Sequence, residues 1–223
     1  MHLQECTEDT QVLIRLQKEN KERLVSLLKS TERNGIDKLL SYLEKSDFYT
    51  APASTRFHGS CPGGLLQHSL NVYDCLCKKA EEPFWKDALG TVPMATLIVV
   101  ALLHDLCKIS FYEVYIKNVK VYSDTGSKSD AQGRYDWEAQ EAYTVNDRNP
   151  YGHGEKSVMM AETFIKLSMM EKYAIRWHMG FSEPKENYGY VGASMEMYPL
   201  VLALHEADLE ASHILEKEEK SNG

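Results

Sequence analysis

The stretch LLHDLCKIS, residues 102–110, begins as an apolar run and then sets His104, Asp105 and Lys108 within five positions. Ionised groups are costly on a buried face unless something compensates their desolvation. Other polar side chains also fall on apolar helical stripes. His68 lies three residues after Leu65 and four before Val72; His178 follows Ala174 and Ile175; Asp208 follows Val201 and Leu204. His153 opens a helix in YGHGEKS. A single inward histidine is ordinarily a neutral core residue bonded to a carbonyl. Four histidines and two aspartates on five segments would each need a separate partner, whereas divalent cations satisfy all of them together through imidazole and carboxylate bonds.

Around this set stand residues with two readings each. Lys108, three after Asp105 and four after His104, reaches toward the same place on helical geometry, or simply complements the negative end of a helix. Arg56 and His58, on the loop APASTRFHGSCPGG, are anion contacts or parts of a solvated loop. Arg176, in IRWHMG, is a substrate contact or a surface charge. Gly152 and Gly154 let backbone approach closely around His153, and the helix start behind them favours either a phosphate or its own cap at Glu155. His205 lies one turn before Asp208 but on an adjacent face, which makes it structural. Cys107 reads as core packing, and neither a GxSxG elbow nor a Cys-His nucleophile motif is present.

The elements that must position these residues read as mainly helical. Residues 8–46 form polar helices with Val12, Leu13, Leu16, Leu24, Leu27 and Leu28 at helical intervals, broken at Asn34-Gly35, and look like a lid or collar. An amphipathic helix is predicted over 65–81 and a nearly all-apolar, central one over 93–107. From 111 to 147 the period changes to alternation, with a turn region at 124–133, which predicts a β-hairpin inserted into a helical domain. Helices resume at about 154–167, 169–178 and 197–217, with a glycine-containing loop at 180–192. The expected organisation is an N-terminal helical extension over 1–50 packed on the core, one domain over 51–217, and a disordered tail over 218–223.

The chain has 223 residues and a formal charge of −8. That acidity argues against holding nucleic acid by broad electrostatics, though small anionic substrates remain compatible with it. Its five cysteines, Cys6, Cys61, Cys75, Cys77 and Cys107, include no CxxC pair, and Cys75 and Cys77 point to different sides of a helix, so free thiols in a reducing cytoplasm are expected. The longest apolar run, Met94–Leu103, is too short to span a bilayer, and the first residues are acidic where a signal peptide would be basic. A soluble cytoplasmic protein without a membrane partner is expected.

The ordered set His68, His104-Asp105, His153, His178 and Asp208 resembles the signature of the HD superfamily of metal-dependent phosphohydrolases, over about residues 55–215. PGGLLQHSLNV is most similar to the branch that includes HD-type 3′-to-5′ exoribonucleases. The resemblance implies an HD-domain helical bundle in which His68, His104, Asp105 and Asp208 hold one metal. Asp105 then bridges to a second metal held by His153 and His178, a dinuclear centre being the expected form and a mononuclear one the alternative. The ions would be Fe, Mn, Zn, Ni or Co. The hairpin is an addition to the minimal family pattern. The resemblance also implies that Asp105 and Lys108 are catalytic, since similar HD proteins carry Lys at this position. The expected reaction is hydrolysis of a phosphoester of a nucleotide or another small phosphorylated substrate by metal-activated water. A short single-stranded nucleic acid is a weaker expectation, because no oligonucleotide-binding barrel is read in the chain and its charge is acidic. The same ligands would also serve a di-iron HD-type oxygenase, or a noncatalytic protein stapled by metal.

Overall fold

The computed structural model describes residues 8–216, with the side chains of 8–11 left aside. Cys6 and the expected tail at 218–223 lie outside the described residues. The protein is mainly helical, with a small three-stranded antiparallel sheet.

Its centre is α5 (Met94–Leu103), whose residues Thr96 to Leu103 are all buried. A helix apolar on every side has no solvent face and must be surrounded. It packs against α3 (Gly64–Glu81), α7 (Met169–Trp177) and α1 (Glu8–Ser30). α3 buries Leu65, Leu66, Leu70, Val72 and Leu76 and carries His68 on the same face. α2 (Ile36–Lys45) follows α1 and buries Ile36, Leu39 and Leu43, while α4 (Pro83–Leu89) inserts Trp85.

The N-terminal helices do pack on the core, but only in part. Leu24 and Leu28 are buried, whereas Val12, Leu13 and Leu16 are exposed. Arg33, just after α1, holds the buried Glu171 of α7 in a two-pronged ion pair, one prong at 2.9 Å, and Thr96 donates to the same carboxylate at 2.8 Å.

Several elements differ from expectation. The central helix stops at Leu103 rather than running to residue 107. His104 is still helical, but Asp105 leaves at φ −106°, ψ 21°, and a 3₁₀ turn, Leu106–Lys108, follows. Consecutive residues of an unbroken helix point about 100° apart, so this break lets His104 and Asp105 serve one cavity. The hairpin is β1 (Tyr112–Tyr122) against β3 (Gly133–Val145), registered from Tyr112↔Val145 to Tyr122↔Tyr135. A third short strand, β2 (Lys128–Asp130), forms inside the expected turn and pairs with β3.

α6 (His153–Glu162) ends earlier than expected because Ser168 caps α7 with a reciprocal Ser168–Glu171 box, which forces a turn ahead of it. The segment expected as a glycine loop carries α8 (Tyr188–Met197), in which burial of Val191 and Ser194 overrides the glycines. α9 (Pro199–Glu210) then passes into a π-helical turn, Ala211–Leu215.

Cys75, Cys77 and Cys107 are free thiols. Among the described residues no single helix is long and apolar enough to cross a membrane.

Candidate metal centre

Asp105 is the hub. Its Oδ2 faces Lys108 Nζ at 2.7 Å, His104 Nε2 at 3.4 Å and His68 Nε2 at 3.7 Å. Its Oδ1 faces His153 Nε2 at 2.8 Å and His178 Nε2 at 3.7 Å. Asp208, from α9, places Oδ1 at 3.1 Å from His68 Nε2. One carboxylate therefore separates two sets of imidazoles, with one oxygen turned to each.

The outer nitrogens explain why every Nε2 points inward. His104 Nδ1–H donates to the Ala101 carbonyl at 2.8 Å and His178 Nδ1–H to the Ile175 carbonyl at 2.7 Å. A neutral imidazole that donates from Nδ1 keeps its lone pair on Nε2. His68 Nδ1 meets both oxygens of Glu216 at 3.1 Å, and His153 Nδ1 lies 3.2 Å from the Cys107 thiol. Such outer partners fix the tautomer and orientation of metal-binding histidines.

The donor set fits divalent cations. Ligand atoms about 2.1 Å from one ion stand about 3–4 Å apart, and the ligating atoms of His68, His104 and Asp208, of His104, Asp105 and His178, and of Asp105, Cys107 and His153 lie within 4.8 Å of one another, so that Cys107 stands among the possible donors and His153 groups with it rather than with His178. Nε2 of His104 is buried without a hydrogen-bond partner among the described residues, and that of His68 faces only carboxylate oxygens, Asp208 Oδ1 at 3.1 Å and Asp105 Oδ2 at 3.7 Å. Buried polar atoms are seldom left orphaned, and coordination would satisfy both.

Close backbone approach sets the second group. Gly154 sits where a Cβ would stand 2.2 Å from the Arg176 carbonyl oxygen. Only glycine lets the start of α6 touch the end of α7, which brings the His153 and His178 rings to 5.1 Å. Gly180, at φ +54°, lies against the His205 ring, and His205 Nδ1–H donates to the His178 carbonyl at 2.7 Å. His205 is thus a prop behind His178, in keeping with its expected structural role.

Electrostatics follow the same geometry. Burial would raise the pKa of Asp105, but Lys108, His104 and His153 hold it well below the usual carboxylate range. Burial opposes charge on His68, yet the Asp208 and Glu216 carboxylates lift it to about 9. His153 is lifted against burial to about 10, by Asp105 and then Cys107. Burial, with His104 and His153 adding to it, drops His178 to about 3. A cation competes with protons for the raised imidazoles, so loading weakens as pH falls.

The centre opens into a pocket of about 330 Å³ whose walls include His58, Lys108, Tyr112, His153, Asp208 and His213. The His58 ring lies 4.9 Å from that of His68, and burial, with His68 and Lys108, lowers it to about 4. Tyr112 and Val145, at the base of the hairpin, border the mouth.

Two candidates are not brought here. Arg56 lines a separate groove with Tyr115 and Lys117. Arg176 is taken up by Glu155 and by Glu183, the latter at 3.0 Å, and borders a larger groove of about 630 Å³ beside α6 and α7. Two carboxylates satisfy the Arg176 guanidinium, and that groove lacks the converging unpartnered nitrogens of the Asp105 pocket. Neither guanidinium lines the Asp105 pocket itself, although the Arg56 groove adjoins it at Thr55 and Val145. Glu155, likewise, spends its carboxylate on Arg176.

No family model, curated protein or solved structure matches this chain. The case for the site therefore rests on its residues.

Glu216 was not legible beforehand, because it sits in the charged run EKEEK, which reads as a solvated end. Asn71 Nδ2 also donates to it, at 2.8 Å. Glu216→Ala is expected to weaken metal affinity by about 10–100-fold by releasing the His68 ring, as measured by competition with a chelating dye. Unchanged affinity would count against this role.

Proposed function

We propose that this protein is a metal-dependent phosphohydrolase of the HD superfamily, hydrolysing a phosphoester bond of a nucleotide or another small phosphorylated substrate. The observation that carries this reading is the single Asp105 carboxylate between two sets of inward Nε2 atoms, with Lys108 beside it at an open pocket. Bound divalent ions would lower the pKa of a coordinated water and stabilise charge on phosphoryl oxygens. His68, His104, Asp105 and Asp208 would hold one ion, and Asp105, His153 and His178 the other.

The chain's own groups supply the rest. Lys108 lines the pocket and, although burial works against its charge, Asp105 holds it firmly protonated, so it offers N–H donors to an anionic oxygen. His58 is neutral near pH 7 and forms a wall that adds no negative charge. A pocket of about 330 Å³ matches a small ligand. With the net charge of −8, this favours a nucleotide or similar phosphoester over a nucleic-acid chain.

The test pairs elemental analysis of the purified protein with a screen of nucleotides and phosphate monoesters supplemented with Mn, Co, Ni, Zn or Fe. Phosphate release that depends on metal supports the reading. Oxygen consumption by a two-iron form without phosphate release would point instead to the oxygenase. Unfolding on chelation with no turnover of any kind would leave a structural metal. In the active form, Lys108→Ala is expected to keep its metal while kcat/KM falls on the order of 10²-fold. Loss of metal in that variant would remove the role given to Lys108.

A further inference from the structure

We propose that the outer edge of β1 pairs antiparallel with the same edge of a second copy of this chain. The twofold axis would run through Tyr115, and two three-stranded sheets would become one. This inference stands apart from the metal chemistry.

The hydrogen bonds say which groups face outward. Asn146 N–H donates to the Phe111 carbonyl and Ser123 N–H to that of Arg134, both in the β1–β3 register. Bonding alternates along an antiparallel ladder, so the odd-numbered residues of β1 bond to β3. The N–H and C=O groups of Val114, Ile116, Asn118 and Lys120 then point away from it. The strand order β1-β3-β2 puts no strand on that side, and among the described residues no other backbone group bonds there.

An exposed edge of this kind is normally blunted by proline, bulges, a short strand or charged side chains, lysine above all, and of these β1 carries only Glu113, Lys117 and Lys120. This one runs 11 residues without proline and without interruption of register. It exposes Val114 by 53%, Tyr115 by 44% and Ile116 by 62%.

Charge selects the second copy as the occupant. Glu113 is the only acid on β1; one of its oxygens accepts from Asn146 Nδ2 at 2.5 Å, which leaves its charge unpaired. Of the strand's two lysines, Lys120 is already held by Asp130 at 2.5 Å, which leaves Lys117. An axis at Tyr115 sets Glu113 of each copy against Lys117 of the other and Val114 against Ile116. It also matches outward donors with outward acceptors, because even residues meet even residues. Glu113 and Lys117 then occupy the non-hydrogen-bonded positions, where side chains approach most closely. Moving the axis by two residues sets Lys117 against Lys117, or Glu113 against Glu113. Moving it by one leaves both charges unmatched.

The test uses the full chain with its metal in place. Light scattering from about 1 to 100 µM, a range suited to a modest interface, is expected to show a monomer–dimer equilibrium. Glu113→Lys should raise the dimer Kd about tenfold or more, and adding Lys117→Glu should restore it. Ile116→Pro removes an outward N–H without touching the β1–β3 ladder, so it should dissociate the dimer at unchanged Tm. Tyr115→Cys should form a disulfide-linked dimer under mild oxidation, whereas Val119→Cys should not; the unaltered chain controls for the exposed Cys61. A strictly monomeric protein would overturn the proposal, as would a dimer indifferent to Glu113→Lys or a Tyr115→Cys variant that does not cross-link.

Discussion

Asp105→Asn is expected to leave the folded protein with about a tenth or less of its metal and to lower phosphoester turnover roughly a thousandfold. The substitution preserves shape and removes one negative charge, but that charge serves both ligand sets. Oδ2 faces the side of His68 and His104, and Oδ1 faces His153 and His178. No other carboxylate among the proposed ligands faces both, since Asp208 approaches only from the His68 side. The same change leaves the Lys108 ammonium without its anion, so circular dichroism must first establish that the variant folds. His178→Gln separates the two effects: it removes one imidazole from one set and is expected to reduce bound metal from two equivalents toward one. Full metal occupancy in folded Asp105→Asn would end the assignment.

Glu171→Ala carries the largest expected loss of stability. Glu171 is fully buried and accepts from Arg33, Thr96 and the Ser168 backbone N–H. Removing one partner of a buried ion pair typically costs about 3–5 kcal/mol, which for a chain of this size corresponds to a fall in Tm of roughly 6–20 °C. Burial would raise the Glu171 pKa, but Arg33, Ser168 and Thr96 outweigh it and hold it below the ordinary glutamate value of 4.5. A depressed folded-state pKa gives stability that is fully present above the unfolded value and is lost as pH falls through the folded one. The Tm gap between the wild type and Glu171→Ala should thus be widest near pH 7 and narrow below about pH 4.5. Equal gaps at pH 7 and pH 3 would show that the ion pair is not what stabilises the junction between the N-terminal helices and α7.

Much of the site was legible because helical periodicity is local. His68 shares a stripe with Leu65 and Val72, and Asp208 shares one with Val201 and Leu204. A residue on an apolar stripe must enter the core wherever the helix is placed. The mainly helical class, the central α5 and the strand pairing that begins near residue 112 follow from the same short-range patterns. Alternation along β1 marked a strand, although neither face of it is buried, so the pattern reported pairing rather than core.

What only the folded chain decided depends on contacts between residues far apart. Glu216 reaches His68 across 148 positions, and nothing in a charged terminal run marks such a contact. The helix break at Asp105 lies inside an apolar segment that reads as continuous, and only packing set the carboxylate between two imidazole sets. Arg56 and Arg176 had the right chemistry and near neighbours in sequence, yet one lies in the groove beside the hairpin and the other between two glutamates. Helical period determines which way a side chain points from its own axis. The relative placement of the axes, and so which donors share a cavity, is settled by long-range packing.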